Sequence, residues 1–164
     1  MSSDTAGTWA AAPDPELASL APSTTAVIRA AIPVAGLRDF FDASFRVLPQ
    51  VLAAQQVNVL SPAFGRYHGM TGGTLDLEVG FVTDRPVRSQ EGVLAGSLPG
   101  GRCGRLTHFG SFDDLESSWQ RLQAWIQGQG LSVSPQRWEF YVTRPTPEMN
   151  PQDLRTDLTW PLAD

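Results

Sequence analysis

The chain is 164 residues long, 41% hydrophobic and 18% charged, enough apolar side chains for one core, which excludes disorder throughout. Its formal charge of -5, with 12 basic residues dispersed singly, excludes a free-standing nucleic-acid binder, because phosphate contact needs clustered Lys and Arg. No apolar run approaches the about 20 residues of a spanning helix, and no basic-then-apolar leader opens the chain. Cys103 is the only cysteine, so no internal disulfide forms and a reducing, cytoplasmic location is expected, without membrane contact. Two histidines, His68 and His108, beside that one cysteine are too few for a structural zinc site, and neither metal nor cofactor is expected.

Residues 1–22 read as an N-terminal tail, partly flexible, broken by Pro13, Pro15 and Pro22, with a short helical turn near Glu16 to Leu20 and with Trp9 able to fold back onto the body. A β-prone stretch, Thr24 to Ala31, precedes a helix in which Leu37, Phe41, Phe45, Leu48 and Leu52 recur at spacings of three and four. Pro49 lies inside that pattern and lacks an amide hydrogen, so a kink or restart is expected there. Strands Pro62 to Tyr67 and Thr74 to Val82 follow, joined by the glycine-rich Gly69 to Gly73, which leaves His68 exposed. A connector over 91–98 carries one more strand before Pro99, Gly100 and Gly101 turn the chain.

The second half repeats the order. A strand runs from Arg102 to Phe109, and a helix opens at Ser111 as N-cap, with Asp113, Asp114 and Glu116 where the helix dipole favours anions. Phe112, Leu115, Trp119, Leu122 and Ile126 form its apolar stripe, and Gly128 and Gly130 end it. Strands Gln136 to Thr143 and Leu154 to Pro161 close the chain around a loop with Pro145, Pro147 and Pro151. Two matching strand-helix-strand-strand halves, 23–83 and 102–162, therefore make one domain over 23–162. The fold class is α+β: a duplicated β-α-β-β module with pseudo-two-fold symmetry, helices on one sheet face and a ligand groove on the other.

Strand alternation selects the groove side chains. Leu75, Leu77, Val79 and Phe81 should face the helices, with Asp76 and Glu78 opposite; Trp138, Phe140 and Val142 should likewise face the helices, leaving Arg137, Glu139, Tyr141 and Thr143 opposite. Glu139 and Tyr141 thus share one side, and Tyr67 joins them from the first half. A carboxylate among aromatic rings either neutralises a ligand cation or, with its pKa raised by burial, transfers protons. Each residue also has a plainer reading: Glu139 and Glu78 as solvated strand carboxylates, Trp119 as core, His108 as a capping or packing group.

The segment Leu106-Thr-His-Phe-Gly-Ser-Phe-Asp-Asp-Leu115, then Trp119, Trp125 and Trp138-Glu-Phe-Tyr-Val-Thr-Arg-Pro145, resembles the GyrI-like small-molecule-binding domain of the AraC effector-binding, SOUL-like superfamily, as a stand-alone member. Phe64-Gly-Arg-Tyr-His-Gly69 and Leu77-Glu-Val-Gly-Phe81 carry the likeness more loosely into the first half, and Arg144 departs from the family pattern. The resemblance implies a ligand site at the junction of the halves, with Glu139 as the strand glutamate that meets cationic aromatic drugs. Glu139, Tyr141, Tyr67, Glu78, Trp119 and His108 are the ligand-binding candidates. Three functions follow, in this order: binding an amphipathic, aromatic or cationic small molecule for toxin sequestration or sensing; hydrolytic opening of the cyclopropane of DNA-alkylating natural products, with Glu139, Tyr67 and Tyr141 as catalytic groups and Glu78 as a further carboxylate; and contact with a protein partner, as in a gyrase inhibitor. With no helix-turn-helix partner, no direct nucleic-acid contact is expected.

Overall fold

The structure is a computed structural model that describes residues 11–143 and 148–163. Trp9, Arg144, Pro145 and Pro147 lie outside the described residues. The elements in chain order are β1 (Glu16–Leu20), β2 (Ser23–Pro33), α1 (Leu37–Ala54), β3 (Phe64–Thr71), β4 (Thr74–Val82), β5 (Leu94–Leu98), β6 (Gly101–Phe109), α2 (Leu115–Gly128), β7 (Ser132–Val133), β8 (Arg137–Tyr141) and β9 (Arg155–Ala163). They form the expected α+β architecture, an antiparallel sheet with two helices.

The sheet order β1-β6-β9-β8-β3-β4-β2-β5 carries the duplication in its topology. Each half contributes a first, third and second strand in that spatial order, β2-β4-β3 and β6-β9-β8, and the halves join where β3 pairs with β8. The flanking strands are exchanged: β1 precedes the first half but pairs with β6, and β5 precedes the second half but pairs with β2. Only Ala21 and Pro22 separate β1 from β2, and only Pro99 and Gly100 separate β5 from β6. A connection of two residues reaches about 10 Å end to end. The two ends of the sheet must therefore approach each other, and the sheet curls into a half-barrel.

Closure requires the two connections to cross, and Gly100 permits it. A Cβ there would lie 2.7 Å from the Pro22 ring and 2.8 Å from the Leu20 carbonyl oxygen. Gly100→Ala is expected to cost about 1–3 kcal/mol, read as a lower midpoint in urea unfolding with an unchanged slope.

Three apolar clusters follow from the curl. Leu48, Val51 and Leu52 of α1 pack on Ala26, Leu77 and Val79. Trp119, Leu122 and Ile126 of α2 pack on Leu106, Leu158 and Trp160. The third fills the inner face of the half-barrel with Val27, Phe64, Leu98, Trp138 and Phe140. The helix stripes were read correctly apart from Phe112, which lies in the turn before α2 and is 43% exposed. Ser111 caps that turn, accepting from the Asp113 amide.

Three local expectations are corrected. The helical turn near Glu16 to Leu20 is strand β1, because the free edge of β6 offers it a five-residue ladder. Helix α1 does not restart at Pro49: the proline is exposed, while Leu48, Val51 and Leu52 hold the helix to the sheet on either side of it. The glycine turn contracts to Gly72 and Gly73, whose φ of 58° and 82° suit a two-residue hairpin, so β3 extends past Tyr67 with a bulge before Gly69. That bulge turns His68 inward, and its Nε2 lies 2.7 Å from Glu78 rather than in solvent.

Candidate functional site

The faces of β8 are the reverse of those expected. Trp138 and Phe140 point into the half-barrel, where a curled sheet makes a second core, and Arg137, Glu139 and Tyr141 point toward the helices. The group built around Glu139 therefore lies between sheet and helices, at the seam of the two halves, not on the helix-free face.

Glu139 is 2% exposed. Its Oε1 accepts from the indole Nε1–H of Trp119 on α2 at 3.1 Å, and its Oε2 accepts from the Tyr67 hydroxyl of β3 at 3.2 Å. The Tyr141 hydroxyl lies within hydrogen-bonding reach of both the carboxylate and the Tyr67 oxygen. Burial raises the carboxyl above the ordinary carboxylate range, opposed by the bonds from Tyr141, Trp119 and Tyr67 and by the charge of Arg137. Burial also raises both phenols, with the nearby carboxylate adding to it, so both remain donors at neutral pH.

Rings on α1 and in the turn ahead of α2 pack against Tyr141. Tyr141 meets Phe41 of α1 edge-on at 5.9 Å and Phe112, ahead of α2, at 6.2 Å. Phe41 in turn stacks on Phe45, which meets Phe81 of β4. Gly65 faces Glu139 across the β3–β8 seam and makes room for this arrangement, since a Cβ there would lie 2.6 Å from the Tyr141 hydroxyl.

Four of the six candidates, Glu139, Tyr141, Tyr67 and Trp119, are brought together. His108 shares the helix face but is occupied as a fastener, with Nδ1 2.6 Å from the Ser118 hydroxyl and Nε2 2.8 Å from the Ser111 carbonyl, which ties β6 to the start of α2. Glu78 is not in the group. It points to the inner face, bound by His68 and 3.9 Å from Arg66, whose guanidinium lies over Trp138 and donates to Gln136 and the Ser97 carbonyl. A hollow of about 320 Å³, lined by Pro99, Arg102, Pro135 and Gln136 among others, includes no member of the Glu139 group. Among the described residues, no set of three or more His, Cys, Asp or Glu is placed to hold a metal ion. Nor is any helix long and apolar enough to cross a membrane.

Sequence reasoning assigned no role to Arg137, Gly65 or Phe41. Their signals were present but ordinary: an arginine two residues before Glu139, a glycine two before Tyr67, and a phenylalanine in a helix stripe.

Two strand-helix-strand-strand halves joined at a buried, hydrogen-bonded carboxylate among aromatic rings define the class, a duplicated α+β domain. The model of the GyrI-like small molecule binding domain matches residues 13–163, and the chain belongs to that family. The fold is shared with the EcmrR C-terminal domain, at 15% identity over 92% of this chain and 97% of that one, with a TM-score of 0.78. A hydrolase from Listeria innocua is similar at 12% identity over 98% of each chain, TM-score 0.71. SAV2435 bound to tetraphenylphosphonium is similar at 15% identity, covering 92% of this chain and 94% of that one, TM-score 0.66. At these identities the likeness is one of fold. The chain spans 62% of EcmrR as seen in its DNA complex. No curated protein sequence matches the chain.

Proposed function

We propose that this domain binds an amphipathic aromatic cation between α1 and α2, with Glu139 as the acceptor of its charge, and that it serves sequestration or sensing of such a compound. The observation that carries the reading is a carboxylate 2% exposed whose close partners, among the described residues, are hydroxyl and indole donors rather than a cation at salt-bridge distance. The hydrogen bonds and the more distant charge of Arg137 offset only part of the cost of burying it, and a lipophilic cation offsets the rest while its rings meet Tyr141, Phe41 and Phe112. Apolar contact supplies most of the affinity; the carboxylate sets charge preference and orientation. Tetraphenylphosphonium, the compound held by the SAV2435 relative, is the natural probe.

Calorimetric titration should show saturable binding of tetraphenylphosphonium and at least about tenfold weaker binding by Glu139→Gln. Tetraphenylborate, of like shape and opposite charge, should be rejected by the native chain. Equal affinity for the two ions, or no effect of the glutamine, defeats the reading.

One observation favours hydrolysis as a second reading: burial raises the basicity of Glu139, the direction that general-base activation of water needs, and two phenols stand beside it as donors for a developing oxyanion. Glu78, which lies across the sheet from Glu139, is left out of this reading. A cyclopropane alkylator incubated with the protein distinguishes the readings, because hydrolysis yields the water adduct over many turnovers whereas binding leaves the parent compound intact.

A further inference from the structure

We infer that Arg137, lodged in the corner between two tryptophans of which one donates to Glu139, is the resident counter-charge of this site and assigns the ligand to the tyrosine side of the carboxylate. The assignment of the ligand rests on the reading above; the effect on Glu139 does not.

The indoles of Trp119 and Trp160 meet at 88° with centroids 5.4 Å apart. The Arg137 guanidinium lies over both, 4.6 Å from the Trp119 ring and 4.9 Å from that of Trp160. Glu116 of α2 reaches it at 4.0 Å from the outside. Arg137 and Glu139 are alternate residues of β8 and point to the same face. Trp119 is thus shared: Arg137 covers its face while its N–H edge donates to Glu139. A cation over an indole draws electron density from the ring and strengthens the N–H as a donor. Arg137 therefore acts on the carboxylate through space and through Trp119, which makes it a positioning residue.

A second consequence concerns specificity. The indole faces that a ligand cation would otherwise seek already hold a cation. The rings left to a ligand are Tyr67, Tyr141, Phe41 and Phe112, of which Phe112 is the most exposed.

Among the described residues, the titratable and charged groups facing Glu139 are Tyr67 from β3, Tyr141 and Arg137 from β8 and, behind Arg137, Glu116 from α2. Helix α1 presents Phe41, with Arg38, Asp39 and Asp42 exposed. From β9 the neighbour of Glu139 is Leu158. Removing Arg137 or Glu116 should therefore move the Glu139 titration in opposite directions.

The test reads Glu139 without ligand, through the infrared carbonyl band of its protonated carboxyl, identified as the band missing from Glu139→Gln. Arg137→Gln should move its midpoint up by about one pH unit, and Arg137→Lys should restore most of that. Glu116→Gln, an exposed substitution that leaves the fold intact, should move the midpoint down, which keeps the test decisive if Arg137→Gln does not fold. An unmoved midpoint in Arg137→Gln, or an upward one in Glu116→Gln, overturns the assignment. Titrating tetraphenylphosphonium against Arg137→Gln across pH should show the affinity profile displaced upward with the band and an undiminished alkaline plateau. A uniform loss at every pH means a merely structural arginine and overturns it too. If the native chain does not bind the probe, the proposed function falls, while the infrared midpoints still decide the counter-charge.

Discussion

Glu139→Gln is expected to raise the melting temperature at neutral pH while removing the preference for cations. The physical cause is the burial of the carboxylate, which lifts its folded-state titration above the ordinary carboxyl range despite three donors. The folded state then keeps its proton to higher pH than the unfolded chain does. As pH rises from the ordinary carboxyl range through the folded-state titration, the unfolded chain loses that proton first, and stability falls. Below that window both states are protonated and the penalty vanishes; above it the penalty is complete. The glutamine variant carries no such term, so the difference in melting temperature between variant and native chain should be near zero in acid and grow toward neutrality. Each kcal/mol relieved corresponds to about 2–4 °C in a domain of this size. A glutamine that destabilises the protein equally at all pH would show that Glu139 is held for its hydrogen bonds alone.

Gly65→Ala should produce the opposite pattern, a large loss of ligand affinity at small cost to the fold. The added methyl would lie 2.6 Å from the Tyr141 hydroxyl, and a phenol can swing aside where backbone could not. That swing takes the Tyr141 hydroxyl away from the carboxylate and disturbs its edge contacts with Phe41 and Phe112. We expect a stability change of about 1 kcal/mol and a tetraphenylphosphonium affinity lowered about tenfold or more. Denaturant unfolding and calorimetry on the same preparation check both halves of this expectation. Affinity preserved in Gly65→Ala would mean that Tyr141 does not touch the ligand.

The order of elements was legible because periodicity and glycine placement are local properties. Leu48 and Leu52 at helical spacing, Trp119 and Leu122 likewise, and the glycine pair at the β3–β4 turn each speak for their own segment. The convergence of Glu139, Tyr141 and Tyr67 was also legible, since strand parity fixes which residues share a side. Which side the helices cover was not. The stretch Arg137-Trp-Glu-Phe-Tyr141 is aromatic on both faces, and hydrophobicity assigns Trp138 and Phe140 to a core without saying which core. The inner core exists only because the sheet curls, and the curl is dictated by two-residue connections between strands at opposite ends of the sheet. That constraint is visible only once the pairing of β1 with β6 and of β5 with β2 is known. Strand β1 was missed for the same reason, since the six residues between Pro15 and Pro22 acquire extended structure from a neighbour more than 80 positions away.

The position of a bound cation tests the account most directly. A crystal structure of the protein with tetraphenylphosphonium should place the phosphonium beside Glu139 on the helix side of the sheet, with its rings against Tyr141, Phe41 and Phe112 and with Arg137 still seated on Trp119 and Trp160. Density for the cation on the inner face, among Arg66, Glu78 and Trp138, would contradict it.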